Sequence, residues 1–287
     1  MNNKDLADFA NADNPLRCSG IGELLPCTWR AAIEYLAIDE RGDNYAAQVG
    51  SATHSAIAEW HRSSGDEKRA ISVMMKDIKE KYTLIEKGAG AEEALEMFLR
   101  YSRDPRNIGI DTPIIEEKSS FSIPAHKKDP TGQPIVIQGT LDQLRYDSRK
   151  KAYYVYDIKT IKLGGGDLIC NHSLQIHLYT FTALATMARK GIKDAPIFPG
   201  SIVRTRSYLT RKNEKEVSPS DVFWPIPSSF KAGYYILASI QEYVRRVRSG
   251  ELDASPNEGC KYCPSGGFDF CTKRAEKFLE LDVITIS

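Results

Sequence analysis

The feature that most constrains this chain is a run of three β-branched and aromatic segments separated by turn chemistry. They are 113–123 (PIIEEKSSFSI), 134–146 (PIVIQGTLDQLRY) and 151–161 (KAYYVYDIKTI). Segments of this kind form neighbouring strands, so a sheet must lie at the centre of the fold. Helical patterns surround it. Before it, 23–38 reads as a turn and a helix, and 46–62, 66–87 and 91–103 read as helices. In 46–62, Gly50, His54, Ile57, Ala58 and His61 share a stripe. After it come a helix at 172–190, strands at 197–209 and 221–226, and a helix at 228–249 that stops at Gly250. This order predicts an α/β chain, with α+β as the open alternative, built on a central mixed sheet flanked by helices. Residues 1–17 read as a loose polar lead-in and 18–287 as a single domain.

The chain has 287 residues, 41% hydrophobic and 27% charged, and a net charge of +1. A chain this near neutrality binds nucleic acid only through local basic patches. No apolar run approaches the ~20 residues of a membrane span. The start, MNNKDLADFANADNP, lacks the basic and apolar pattern of a secretory signal. A cytoplasmic, reducing location is therefore expected, where clustered cysteines point to metal rather than disulfides. The chain holds no GxxxxGK[ST] loop, so an internal ATP motor is not expected.

Two acids and a lysine stand out in the meander. Asp157 and Lys159 are two apart in a strand and so point the same way. The midpoint between Asp142 and Asp157 falls at Arg149–Lys150, inside the polar DSRK turn. Folding there makes the two acids cross-strand neighbours, with Cβ atoms ~5 Å apart. Carboxylates that close repel unless a cation neutralises them, and oxygen ligation suits Mg²⁺ or Mn²⁺. Such a metal supports phosphodiester hydrolysis, and a lysine beside it can orient water or stabilise developing charge. Taken alone, the D-x-K spacing is equally that of a surface hairpin with mixed charges. Gln175 and Tyr179 share a face of the next helix, one turn apart.

The ordered set His54, Gly139-Thr-Leu-Asp142, Asp157-Ile-Lys159-Thr160 and Gln175-x-x-x-Tyr179 resembles the motif series of RecB-like PD-(D/E)xK nucleases. That group includes the RecB and AddB nuclease domains and the CRISPR-associated RecB-family exonucleases. The resemblance implies a restriction-endonuclease-like core. It implies His54, Asp142 and Asp157 as metal ligands, Lys159 as catalytic, and Gln175 with Tyr179 holding DNA or the site. Asp157 stands where the family often has Glu. Glu116 and Glu117 are read as a solvated strand face and are left outside the site.

Cys260-x-x-Cys263 and Cys271 place three thiols in a short Pro/Gly segment. Thiolates bind zinc and iron–sulfur clusters alike, and spacing does not separate the two. The segment around Cys27 (LLPCTWRAAIEYL) resembles the helix start of iron–sulfur members of the same group. That resemblance implies a [4Fe–4S] cluster on Cys27, Cys260, Cys263 and Cys271, joining segments 18–38 and 256–287. Cys18 is the rival fourth ligand, Zn²⁺ the rival occupant, and Cys170 reads as a bystander.

Basic residues gather at Arg204, Arg206, Arg211 and Lys212 and at Arg245, Arg246 and Arg248. Tyr208, Trp224, Tyr234 and Tyr235 interleave nearby, a composition suited to single-stranded DNA. The expected activity is a metal-dependent DNA exonuclease acting on single-stranded or frayed ends, in repair, recombination or CRISPR-type adaptation. The alternative is a catalytically weak module that grips DNA ends for an integrase or recombinase partner.

Overall fold

The computed structural model describes residues 5–21, 25, 27, 28, 30, 32, 35, 45–86, 88–160, 166–192, 195–205, 223–225 and 230–252. Side chains of 166–173, 223–225 and 230–231 fall outside that description, as do Cys260, Cys263 and Cys271. The elements in order are β1 (Leu16–Arg17), α1 (Tyr45–Arg62), α2 (Glu67–Lys81), α3 (Ala89–Ser102), β2 (Asp111–Ile123), β3 (Ile135–Asp147), β4 (Ala152–Lys159), α4 (Gly166–Lys190), β5 (Ile197–Arg204), β6 (Phe223–Pro225) and α5 (Phe230–Arg248). The helix expected over 23–38 is represented by Thr28, Arg30, Ala32 and Tyr35, all helical.

The strands form one six-stranded mixed sheet in the order β1-β3-β4-β5-β6, with β2 on the other edge of β3. β3 pairs antiparallel with β2 and β4, while β1 runs parallel to it through Leu16↔Ile137. β4 and β5 are parallel and joined through α4, the crossover that parallel neighbours require.

Each helix forms for a local reason and buries one stripe. In α2, Asp66 caps the start by accepting from the Arg69 N–H at 3.0 Å. Ala70, Met74 and Ile78, spaced by four, are its buried face. In α3 the stripe is Ala94, Met97, Phe98 and Tyr101. These meet Val49, Ile57 and Trp60 of α1 and close over Ile158 and Val203 of the sheet. The opposite face carries Tyr153, Val155 and Ile202 under Ile176, Leu178 and Ala183 of α4 and Ile240, Val244 and Val247 of α5. Alternate residues of β4 and β5 thus enter two separate cores, the result of a sheet covered on both sides.

Residues 5–17 are not a loose lead-in. Leu6, Phe9 and Ala10 are buried, and the Val136 N–H donates to the Ala10 carbonyl at 2.8 Å. Apolar residues scattered among Asn and Asp lack a periodicity, and their burial is decided by distant partners. Arg248 is the chief one. Its Nε donates to Phe9 O at 2.8 Å, and its Nη1 to Gln133 O at 2.8 Å and Asp129 Oδ2 at 3.1 Å. It ties the end of α5 to the N-terminal segment and to the loop before β3. Arg248 is therefore a buried clamp, not a surface contact for DNA. Arg204 is also buried, and Arg245 is paired with Glu242 and Glu251. Arg206, Arg211, Lys212 and Tyr208 lie outside the described residues.

Burial alone would raise the Asp129 carboxyl. Hydrogen bonds from Thr131 and the Arg248 charge outweigh that and hold it below its ordinary value. A depressed carboxyl contributes stability that is present above about pH 4 and lost as the pH falls. Arg248→Ala leaves that carboxylate and several carbonyls without their partner, a loss of ~3–5 kcal/mol. Denaturant melts at neutral pH should show this loss, and it should shrink as the pH falls below about 4. An Arg248→Ala protein as stable as the parent would refute the clamp.

Candidate active site

The hairpin of β3 and β4 turns at residues 148–151 and pairs Gln143 with Tyr156. Continuing that register sets Asp142 opposite Asp157, as the position of the DSRK turn predicts. On the other edge of β3, Ile115 pairs with Gln143 and Glu117 with Leu141. Glu116 lies between them and so beside Asp142. Three carboxylates thus stand in a row across three strands.

Glu116 has a left-handed backbone, with φ at 47°. A non-glycine residue held there is strained by about 1–3 kcal/mol, and such strain gathers at functional sites. Its carboxylate meets His54, whose Nδ1 lies 2.8 Å from Glu116 Oε1. The second ring nitrogen, Nε2, is 2.9 Å from the Ile158 carbonyl. A carbonyl only accepts, so Nε2 carries a proton and Nδ1 is the atom that faces the acids. Burial alone would lower the imidazole. The charge of Asp142 and the hydrogen bond to Glu116 outweigh it and raise it to about 9. Without a cation, then, His54 is itself the counter-charge of the acids.

Asp142 is buried and takes the Ile158 N–H on Oδ2 at 2.7 Å, while Oδ1 is 3.9 Å from His54 Nδ1. Its carboxyl is pushed well above the ordinary range. Burial is the main cause, and the charges of Asp157 and Glu116 raise it further against the pull of His54 and Lys159. Asp157 is fully buried. Its Oδ1 accepts from Lys159 Nζ at 2.8 Å and from Gln175 Nε2 at 3.3 Å. Its Oδ2 has no hydrogen-bond partner among the described residues. Burial pulls Lys159 down, but Asp157 and Asp142 outweigh it and keep the ammonium charged. Gln175 Nε2 also donates to the Tyr179 hydroxyl at 2.6 Å, so both amide hydrogens are used. Tyr179 is held as a neutral phenol, chiefly by burial and then by the two aspartates. Gly139 makes room for that ring, because a Cβ there would lie 2.5 Å from Tyr179 Cε1 and 3.0 Å from Cys18 Sγ.

The structure therefore brings together His54, Asp142, Asp157, Lys159, Gln175 and Tyr179. It corrects the sequence reading on Glu116, which belongs to the cluster. The donor atoms that gather within 4.8 Å of one another are those of His54, Glu116 and Asp142. Asp157 adjoins them with one oxygen committed to Lys159 and Gln175 and the other unsatisfied. Glu116 was missed because its direction depends on a left-handed residue inside a strand, which the E-E-K run does not announce. Three acids exceed the two cations facing them, and a buried carboxylate oxygen is orphaned. A hard divalent cation fits this oxygen-rich donor set. The cluster opens into a cleft of about 490 Å³ lined by His54, Glu116 and Lys159 and by small residues of α1, including Gly50 and Ser51.

Two cysteines near the chain start, Cys18 and Cys27, are described, and both are buried. Cys18 is in the core beside Gly139, and burial pushes its thiol up to about 12. Cys27 Sγ accepts from the Arg30 N–H at 3.4 Å. Cys170 lies on α4. No helix among the described residues is long and apolar enough to cross a membrane.

The sequence profile described as the PD-(D/E)XK nuclease superfamily matches residues 18–267. No curated protein matches the chain. Among solved structures, a candidate exonuclease from Eubacterium rectale is 15% identical with a TM-score of 0.47, covering 88% of this chain and 86% of its own. A second, named by a locus designation, is 12% identical with a TM-score of 0.32, covering 83% and 91%. Likeness at this level carries no functional information.

If the acids hold a cation, saturating Mn²⁺ should raise the melting temperature. Ligand at ~100 times Kd adds about 2.7 kcal/mol, or roughly 5 °C or more at this size. Asp142→Asn and Glu116→Gln should each remove most of that shift. A full shift in Glu116→Gln would exclude Glu116 from the donor set.

Proposed function

Because the chain belongs to the PD-(D/E)XK nuclease superfamily, we propose that it is a divalent-metal-dependent exodeoxyribonuclease that hydrolyses phosphodiester bonds at single-stranded or frayed DNA ends. The observation that carries this reading is Lys159 hydrogen-bonded to a fully buried Asp157 beside Asp142. A site built only to grip DNA has no use for a lysine held between two acids.

His54 through Nδ1, Glu116 and Asp142 would hold Mg²⁺ or Mn²⁺, with Asp157 Oδ2 alongside. Bound there, the ion would supply a more acidic water and charge compensation on the phosphate. Each of the chain's own groups has a distinct task. Lys159 carries the positive charge that orients the attacking water or stabilises the charge developing on phosphate. Asp157 fixes Lys159, Gln175 fixes Asp157, and Tyr179 fixes Gln175. The Ile158 carbonyl holds the His54 ring so that Nδ1 points at the acids, the role of an orienting partner behind a metal ligand. Water adds to phosphorus as the bond to the 3′ oxygen breaks. The products are a 5′-phosphate and a 3′-hydroxyl.

The cysteines extend the reading. Cys27 with Cys260, Cys263 and Cys271 would hold a [4Fe–4S] cluster, or Zn²⁺ on the same thiolates, and pin the chain's end to its beginning. What supports Cys27 over Cys18 is the position of Cys18, whose sulfur is packed in the core of the sheet against Gly139. The resemblance to RecB-like and AddB nucleases supports a cytoplasmic role in DNA repair, recombination or CRISPR-type adaptation.

Chelation by EDTA should abolish cleavage of end-labelled DNA, and Mg²⁺ or Mn²⁺ should restore it. Lys159→Ala should cut the rate by about 10²-fold or more. It should also lower the stability of the metal-free protein, because Asp157 then keeps a buried charge with Gln175 alone. Wild-type cleavage by Lys159→Ala would remove Lys159 from the chemistry, and a parent protein that binds DNA ends without metal-dependent cleavage would leave an end-binding module that serves an integrase or recombinase.

A further inference from the structure

A second groove, of about 920 Å³, lies against the β3–β4 hairpin, with residues of the α3–β2 connection and of β5 completing its walls. It holds none of the acids of the candidate active site. Its walls carry Tyr154 and Tyr156 of β4 and, at the hairpin, Arg149 and Lys150. Both rings are half-buried and already attract cations. Arg145 sits 4.2 Å above the Tyr156 ring, and Lys150 Nζ is 5.1 Å from that of Tyr154.

Two acids also line the groove, Asp111, which is exposed, and Asp147. Asp147 is turned inward on the hairpin, its Oδ1 accepting from the Arg149 and Lys150 N–H groups at 2.9 and 3.1 Å. Neither the Arg149 nor the Lys150 side chain forms an ion pair among the described residues, and both are exposed. A bulge shapes the floor. Val155 pairs with Pro199 and Tyr156 with Ser201, so Gly200 is the extra residue. A Cβ on Gly200 would lie 2.5 Å from Val155 O and 3.1 Å from the Tyr156 ring, so only glycine keeps β5 this close.

We propose that this groove is a second binding site, which holds single-stranded nucleic acid by stacking bases on Tyr154 and Tyr156 and by phosphate contacts to Arg149 and Lys150. Aromatic faces beside exposed cations suit a flexible anionic polymer with planar groups. The identity of the polymer rests on the nuclease reading of the other site. One strand joins the two along its length, since β4 carries Tyr154 and Tyr156 to the groove and, from its opposite face, Asp157 and Lys159 to the acids. Lys159 lies five residue steps along the strand from Tyr154, roughly 17 Å. A strand lying in the groove would thereby tether the substrate that feeds the cleavage site.

The test is binding of fluorescent oligothymidylate in EDTA, where nothing is cut, beside hydrolysis of bis(p-nitrophenyl) phosphate in Mn²⁺. The small diester reaches the acids without reaching the groove. Arg149→Glu with Lys150→Glu should weaken oligothymidylate binding about tenfold and flatten its salt dependence by ~1.4 in log–log slope, two phosphates at ~0.7 each. Diester hydrolysis should be unchanged. Tyr154→Leu should weaken binding and leave the salt slope alone. Unchanged oligothymidylate affinity in both variants overturns the proposal, and loss of polyglutamate binding in its place would assign the groove to an acidic protein partner. Diester hydrolysis that falls in parallel with binding also overturns it, by making the hairpin merely structural. A parent protein that in Mn²⁺ hydrolyses neither the diester nor end-labelled DNA defeats the nuclease reading alone, because the binding arm still decides the groove.

Discussion

Three carboxylates on three adjacent strands are the constraint around which the rest of the molecule is arranged. Glu116, Asp142 and Asp157 are brought side by side by backbone register, and like charges at that spacing oppose folding. Two cations answer them, and they come from different parts of the chain. His54 reaches in from α1 and Lys159 from the same strand as Asp157. Gln175 is supplied by α4, so both helical layers contribute to one end of the sheet. The compensation is incomplete, and the orphaned oxygen of Asp157 is where the shortfall is felt. A site of this kind is kept by the cores around it and not by its own interactions.

Those cores explain why the strain can be held. β4 sends Tyr153 and Val155 into one core and Ile158 into the other, and β5 sends Ile202 and Val203 to opposite sides. The strand that carries Asp157 and Lys159 is thus fixed by packing on both faces. Ile158 is central to this arrangement. Its side chain is in the core, its N–H binds Asp142 and its carbonyl binds His54. One residue with no chemistry of its own sets the direction of two that have it.

The parts of this legible in the sequence were those with a period. The turn at DSRK places Asp142 against Asp157 by counting alone, and the register agrees. The four-residue spacing of Gln175 and Tyr179 put them on one face, where they are hydrogen-bonded to each other. His54 reads as the middle of a stripe on α1, and that stripe does pack on the sheet beside the acids. What stayed hidden depended on distant partners or on local strain. Glu116 looks like one of two solvated acids until its positive φ is known. Arg248 looks like one more base on a basic helix end, yet it is ligated by residues 9, 129 and 133, more than a hundred positions away. Leu6 and Phe9 sit in a polar segment whose composition argues for exposure, and the clamp overrides it.

Hidden and legible features differ in what they support. Periodic residues build the sheet and the helices, which many sequences can do. The residues that escaped prediction either close the fold, as Arg248 does, or aim a charge, as Glu116 does. The second kind works against stability. A left-handed glutamate, a raised aspartate and an unsatisfied carboxylate oxygen all lie within one cluster, while the nearby Tyr101–Gln143–Arg145–Asn107 network under α3 is closed by its own hydrogen bonds. The two polar clusters share the same sheet, and Asp142 and Asp157 are as buried as the network under α3, so the sequence was able to satisfy a buried polar group here. That it leaves only the acidic cluster short of positive charge is the physical reason to regard that cluster as built for a cation, and the network under α3 as built for the fold.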